Sequence, residues 1–474
     1  MNIQTNKFPH HIFRAYDIRG QVTLLNEVLV HAIACAFVER FQQLQQSTVV
    51  LGYDARLTSP LYSKIIKSVL QPHFNLIELG CCSTPQMYYA ALQHQGNGIM
   101  ITASHNPKSD NGIKWMVQGR PPSPQDIQNL AQIAEGYMHT LPMPYSHLDT
   151  QKDADQCLHA YIQQMLSDIH LQRSFTIVID GLNGSAGTTA VQVLERLGCQ
   201  VIALRCEANG EFPLHAPDPS KAKHLQALQR KVSEHQAALG IALDGDGDRV
   251  VLVDDRGHII RADRLLALLA KICLKQCPQA EVVFDVKCSS LVRQTIERFA
   301  GKATMIRTGS SFLRQYLAQS KGRAVLGGEY AGHYVFNDGR GLGYDDGLYA
   351  ALRILEYLSQ TEALCLSQLM TQFPERCSTE DNYIHTHHLN PTELLAQIAI
   401  AAEQVADAEL SQIDGIRLDF EQGFGIIRAS NTGEYFTVRF DADTPAELTR
   451  IRQVFASLFS DHYPMIAQDI LNAQ

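Results

Sequence analysis

Apolar and polar positions along this chain fall into an order that repeats. Residues 48–51 form a β-branched apolar run that reads as a strand. Residues 61–70 carry helical spacing, and 76–79 read as a second strand. The same succession returns at 175–179, 188–197 and 200–204, and again at 281–284, 291–299 and 304–306. An aspartate follows the first strand of every copy: Asp54, Asp180 and Asp285. Strand, helix, strand at this spacing is a βαβ unit, which predicts three α/β domains with partly parallel sheets. The longest apolar stretch, 28–38, is broken by His31 and too short to span a bilayer, so it reads as a buried helix. The last hundred residues change pattern. Runs at 413–420, 425–428 and 435–440 predict antiparallel strands. A helix then opens with Thr444 as its cap, Pro445 at its first position and Glu447 closing a capping box.

In each copy the next apolar run leads into a polar loop of unusual composition. Residues 98–101 lead to Thr102-Ala103-Ser104-His105-Asn106-Pro107. Ser104 thus stands at the end of a strand, beside His105 and close to Lys114, where a nucleophile or phosphate carrier is expected. Taken alone, an Asn-Pro turn carrying a serine is the better reading; it weakens because two more loops of similar design follow. Residues 241–243 lead to Asp244-Gly245-Asp246-Gly247-Asp248-Arg249. Three carboxylates at alternate positions repel one another unless a cation compensates them, and oxygen donors of this kind suit Mg²⁺. Arg249 and Asp255 stand where a calcium-binding EF-hand needs Gly and Glu. Residues 324–326 lead to Gly327-Gly328-Glu329-Tyr330-Ala331-Gly332-His333, where a plain glycine turn is as good a reading as a ligand loop. In the tail, Arg428, Ser430, Asn431 and Thr432 gather donors suited to a phosphate, with a polar hairpin as the alternative. Open α/β sheets bind ligands beyond the carboxyl ends of their strands, so three related domains can aim three loops at one cleft.

Composition narrows the class. With 45% apolar and 19% charged residues the chain is globular and long enough for several cores. A formal charge of −9 argues against nucleic acid as a partner, and no segment predicts a membrane span or a leader peptide. Eleven scattered cysteines, an odd number without zinc spacing, predict reduced thiols in the cytoplasm. No sustained heptads appear, so a monomer is expected.

These loops, in this order, resemble the α-D-phosphohexomutase superfamily, and its bacterial phosphomannomutase/phosphoglucomutase branch above all. The resemblance runs from Phe13-Arg14-Ala15-Tyr16-Asp17-Ile18-Arg19-Gly20, through the serine and metal loops, to Arg307-Thr308-Gly309 and residues 428–432. It implies four domains around a central cleft: 1–150 carrying phosphoserine, 151–254 the metal, 255–371 the sugar, and 372–474, TATA-binding-protein-like, the distal phosphate. It implies a mutase interconverting hexose 1-phosphate and hexose 6-phosphate, of mannose or glucose, through hexose 1,6-bisphosphate. Ser104 would carry the phosphoryl group. Mg²⁺ would be held by Asp244, Asp246, Asp248 and an oxygen on Ser104. Arg19, His105, Lys114 and His333 are the candidates for orientation and proton transfer. Tyr16, Arg249, Lys287, Glu329, Arg428, Ser430, Asn431 and Thr432 are the candidates for substrate binding, with Arg439 as a possible helper. Rival readings are a narrower mutase such as one for glucosamine phosphate, a Mg²⁺-dependent sugar phosphatase, and a non-catalytic sugar-phosphate binder.

The chain departs from the branch at Tyr330 and Ala331, where Met and Ser are usual, at Ser310, where His is usual, and at Gly433-Glu434-Tyr435, where a proline is usual. Two further signals read as ordinary structure. His385 and His387 would share a strand face without an acidic or thiol partner nearby, and Trp115 is expected to pack rather than stack on sugar.

Overall fold

The computed structural model describes residues 8–140, 154–363, 365–430 and 434–473. They form two compact units, one of Met1–Arg261, Arg314–Ser320 and Ala331–Leu369, the other of Ala262–Leu313, Lys321–Tyr330 and Met370–Gln474.

The first unit holds two sheets of the same design. In the first are β1 (Ile18–Gln21), β2 (Thr48–Tyr53), β3 (Asn75–Cys81), β4 (Gly98–Ile101) and β5 (Asp110–Met116), in the order β1-β5-β4-β2-β3. In the second are β6 (Thr176–Asp180), β7 (Gln200–Leu204), β8 (Leu239–Leu243), β9 (Val250–Asp254) and β10 (Ile259–Ile260), in the order β10-β9-β8-β6-β7. In both, three parallel strands meet an antiparallel hairpin: β4 with β5, β8 with β9. β4 and β8 are buried along their whole length, as a continuous apolar run at the centre of a helix-covered sheet should be.

The helix Glu27–Gln43 covers the first sheet. Asn26 caps it by accepting from the Leu29 amide, and Leu29, Ile33, Phe37 and Phe41 form its buried stripe. Trp115 stands edge-on to Phe37, ring centroids 5.3 Å apart and fully inside the core. Its burial contributes about 2 kcal/mol or more, and it is packing, as expected.

The second unit repeats the parallel motif with β11 (Glu281–Asp285), β12 (Lys302–Ile306) and β13 (Ala324–Gly328), in the order β12-β11-β13. β14 (Tyr334–Phe336) belongs to the first unit. The tail is an antiparallel sheet of β15 (Cys377–Ser378), β16 (Asn382–His385), β17 (Glu409–Ser411), β18 (Ile416–Phe420), β19 (Gly423–Ala429) and β20 (Tyr435–Ala442). It is backed by the helices Pro391–Ala402, Pro445–Ser460 and Pro464–Leu471.

Three local expectations are corrected. The run at 413–420 is not one strand. Gly415 takes φ +95°, β18 begins after it, and β17 pairs with β18 as an extra edge strand. Thr444 does cap its helix through the Glu447 amide, but the Glu447 carboxylate turns to Arg450 and does not close the box. His385 and His387 share no strand face. β16 ends at His385, and His387 and His388 both turn into the left-handed region.

Candidate active site

The chain leaves β4 at Thr102 and folds back on itself. The Thr102 hydroxyl donates to Asp54 at 2.8 Å and accepts the Ser104 amide at 2.8 Å. Ser104 sits at φ +53°, in the left-handed region that a serine enters only when its surroundings hold it there. It is fully buried. Its Oγ donates to Asp244 Oδ2 at 2.6 Å and lies 3.1 Å from His105 Nδ1. Burial, with Arg249 and Arg19 close by, holds the His105 imidazole well below its usual pKa, so the ring is neutral and can accept a proton.

Asp244 directly follows β8, and the loop to β9 is wound so that its aspartates converge. Asp244 Oδ1 accepts the amides of Gly247 and Arg249 at 3.0 and 3.2 Å. Gly247 supplies the positive φ, +76°, that the winding requires. Asp246 is fixed from the helix Thr84–Gln93 that follows β3: the Thr84 amide donates to its carbonyl at 2.8 Å and the Thr84 hydroxyl to its carboxylate at 2.5 Å. Lys114, on β5 opposite Met100, reaches Asp246 at 2.7 Å and Asp248 at 2.5 Å. The two carboxylates, working against burial, raise its pKa well above the usual lysine value, so it stays charged.

The three aspartates are fully buried, with a ligand oxygen of each within 4.8 Å of the others. Asp246 Oδ1 and Asp248 Oδ1 are buried without a hydrogen-bond partner. Burial first, then Asp248 and Asp246, push the Asp244 carboxyl up to about 8. Orphaned carboxylate oxygens, and a carboxyl that cannot ionise beside its neighbours, are what a divalent cation relieves. The donor set therefore fits a hard metal ion.

A serine hydroxyl buried against such a cluster, each on the loop after a parallel strand of its own sheet, is where the comparisons with known proteins bear. Residues 10–140, 159–257 and 261–377 match phosphoglucomutase/phosphomannomutase alpha/beta/alpha domains I, II and III respectively. The chain belongs to the phosphoglucomutase/phosphomannomutase family. It is 38% identical over 450 residues to the phosphomannomutase/phosphoglucomutase of Pseudomonas putida, covering 94% of this chain and 95% of that one. It is 36% identical over 459 residues to the phosphoglucomutase of Neisseria meningitidis, covering 96% and 98%. A crystal structure of a family protein from Burkholderia thailandensis superposes with TM-score 0.86 at 32% identity, covering 96% and 98%. The chain is thus a phosphohexomutase, an intramolecular phosphotransferase with three α/β domains and a C-terminal domain built on its own sheet.

Around the serine of this phosphohexomutase the first unit gathers further candidates. Arg19, on β1, is buried and donates to Asp17 at 2.5 Å and to Asn106 at 3.1 Å. Tyr16, just before β1, is exposed. Arg249 Nε donates to His333 Nε2 at 2.8 Å, which leaves the ring proton on Nδ1, 2.8 Å from Asp345. Burial opposes charge on His333, but Asp248 and Asp345 raise its pKa. Burial likewise disfavours charge on Asp345, yet His333 and Arg314 hold its carboxyl well below the usual range.

The second unit brings its own candidates together. Glu329, at the end of β13, is buried and accepts the Gly309 amide at 2.5 Å. Lys287 pairs with Asp381 at 2.6 Å. Arg428 donates to Asp414 at 2.8 and 3.0 Å, and the same carboxylate takes the Thr308 amide. Ser430 holds the Tyr435 carbonyl through its amide. Asn431 and Thr432 lie outside the described residues. Arg439 is no helper at a phosphate: it is fully buried, bonded to Asp263 at 2.8 Å and to the Lys287 carbonyl. Its guanidinium lies 3.7 Å over the Tyr330 ring, and Lys287 lies 5.5 Å from the same ring. Ser310 opens the helix Ser310–Gln319.

Sequence reasoning missed Arg56, Thr84, Asp345 and Asp381. Asp54-x-Arg56, directly after β2, was the one available signal.

Proposed function

We propose that this phosphohexomutase moves a phosphoryl group between the 1- and 6-positions of mannose or glucose phosphate, with Ser104 as the carrier. The observation that supports this reading is the 2.6 Å contact from the Ser104 hydroxyl to Asp244 inside a buried carboxylate cluster with orphaned oxygens. Asp244, Asp246, Asp248 and an oxygen on Ser104 are the residues to hold Mg²⁺. When bound, that ion neutralises charge on the transferring phosphoryl group.

In the forward half-reaction a hydroxyl of the bound hexose monophosphate attacks phosphoserine. A new P–O bond to the sugar forms as the bond to Ser104 Oγ breaks, and the proton of the attacking hydroxyl ends on the released Oγ, giving hexose 1,6-bisphosphate and a free serine. Arg19, Lys114 and Arg249 keep fixed positive charge beside the serine. Once the bisphosphate has turned, its other phosphoryl group returns to Ser104, and the hydroxyl proton leaves to neutral His105, 3.1 Å from Oγ. His333, with its two ring nitrogens taken by Arg249 and Asp345, is suited to fixing Arg249 beside the serine. Glu329 is the candidate grip on sugar hydroxyls, and Tyr16, Lys287, Arg428 and Ser430 are candidates for the remaining substrate contacts, the last two at the distal phosphate. Eleven scattered cysteines without zinc spacing support a reducing compartment, hence the cytoplasm, and a monomer is the working state.

The test is phosphorus NMR of purified protein with Mg²⁺, a trace of glucose 1,6-bisphosphate, and mannose, glucose or glucosamine 1-phosphate. Appearance of the 6-phosphate identifies the sugar used. Inorganic phosphate alone would mean a phosphatase, and no change with any sugar a binder. Ser104→Ala should abolish turnover and the gain of one phosphoryl group in intact mass.

A further inference from the structure

Arg56 is the most heavily bonded side chain near the serine loop, and no step above uses it. It is buried to 1% exposure in the turn after β2. One nitrogen, Nη2, donates to the carbonyls of Ser104 at 2.8 Å and Asn106 at 2.7 Å. The other, Nη1, donates to those of Pro107 at 2.6 Å and Asp110 at 2.9 Å. Its Nε pairs with Asp54 at 3.1 Å, and Asp54 in turn takes the Thr102 hydroxyl that holds the Ser104 amide. The loop thus turns four carbonyl oxygens toward one point, an arrangement that repels itself unless a planar cation with several donors sits at the focus. A lysine, with three donors from one atom, cannot match that fork.

The guanidinium is closed off by the second domain. Arg56 forms a β-bridge with Gly210, and the Phe212 ring covers it at 5.4 Å. A Cβ at Gly210 would lie 2.3 Å from the Ala55 carbonyl, so the approach admits only glycine. Phe212 itself takes φ +41° to bring its ring there. The domain that supplies the aspartates therefore also seals the strut beneath the serine.

We propose that Arg56 is a positioning residue for phosphoryl transfer: through four backbone carbonyls it holds Ser104 in its left-handed conformation, with Oγ aimed at Asp244. This rests on the reading of Ser104 as the phosphoryl carrier. Arg56 touches neither sugar nor the transferred group, so its loss lowers the rate of transfer and leaves sugar binding in place.

The experiment uses full-length Arg56→Lys. Two quantities are measured: the rate at which the protein gains one phosphoryl group from glucose 1,6-bisphosphate, by intact mass, and the steady-state kcat and KM for hexose 1-phosphate. The variant should fall about a hundredfold in both phosphorylation rate and kcat, as a displacement of the reacting oxygen by roughly an ångström predicts. Its KM should stay within about threefold of the parent. Phosphorylation at the parent rate, or a loss carried by KM alone, overturns the proposal while the serine reading stands. A parent protein that never gains a phosphoryl group removes the serine reading, and the proposal with it. Should Arg56→Lys fail to fold, Phe212→Leu decides. Removing the ring cover should lower kcat roughly tenfold at constant KM, and an unchanged kcat overturns the proposal.

Discussion

The Ser104 hydroxyl donates to Asp244 Oδ2 at 2.6 Å, joining loops 140 residues apart in the chain. That contact makes proton and metal compete for one carboxylate. Burial and two neighbouring aspartates raise Asp244 to about 8, so below that pH its proton must leave before the cation is fully held. Mg²⁺ affinity should then rise with pH by up to about tenfold per unit from about pH 6 and level off above about pH 8. Titration calorimetry of the dephosphorylated protein in buffers of different ionisation enthalpy reads both the affinity and the proton released. An affinity independent of pH over that window contradicts this account. The raised carboxyl also acts on folding: without metal, its contribution to stability is full below the ordinary carboxylate pKa and is lost as pH climbs through about 8.

Gly245 lies between the serine loop and the segment at Pro217. A Cβ there would come within 2.4 Å of the Ser104 carbonyl and 2.8 Å of the proline ring. Neither neighbour is a flexible side-chain end, so Gly245→Ala should force the two loops apart. The expected cost is about 1–3 kcal/mol of stability in urea unfolding and roughly a hundredfold in kcat. A variant with parental turnover would show that the loops are not held as tightly as the geometry states.

Lys114 compensates two buried carboxylates at once. Lys114→Met should destabilise the metal-free protein by about 3 kcal/mol, because it leaves Asp246 and Asp248 without their cation. Mg²⁺ supplies the same compensation, so it should raise the melting temperature of the variant more than that of the parent. Equal metal-induced shifts in thermal unfolding would argue against the shared role.

Tyr330 stands in the third loop with Arg439 and Lys287 on its ring. Tyr330→Met removes two cation–π contacts and leaves the Lys287 ammonium held by Asp381 without its ring support. An effect of about 1 kcal/mol should appear as a several-fold rise in KM with kcat little changed. The ratio of kcat/KM for mannose and glucose phosphates should shift with it. Tyr330→Phe keeps the ring and should behave as the parent; a loss equal to that of the methionine variant would move the effect to the hydroxyl.

Much of this was legible before any coordinates. The strand at Gly98–Ile101 falls where its apolar run does, and the strands at 48–51 and 281–284 extend by only a residue or two. The serine and metal loops were legible because their residue types conflict with ordinary packing. Of Arg56 only its pairing with Asp54 was legible; its four other partners are backbone carbonyls, which leave no trace in side-chain composition. Arg439 was misread for a related reason. An arginine on a strand beside a polar loop looks like a phosphate ligand until Asp263, 176 residues away, is seen to neutralise it.

The sequence by itself determined the three strand-helix-strand repeats, the antiparallel tail and the loop that ends each repeat. Those follow from periodicity and turn residues, which act over a few neighbouring positions. Only the tertiary structure decided that Ser104 is buried on Asp244, that Lys114 spans two aspartates, and that one arginine gathers the serine loop under a phenylalanine from the next domain. Such pairings join residues far apart in the chain, and the meeting of one domain's loops with the next domain's sets them.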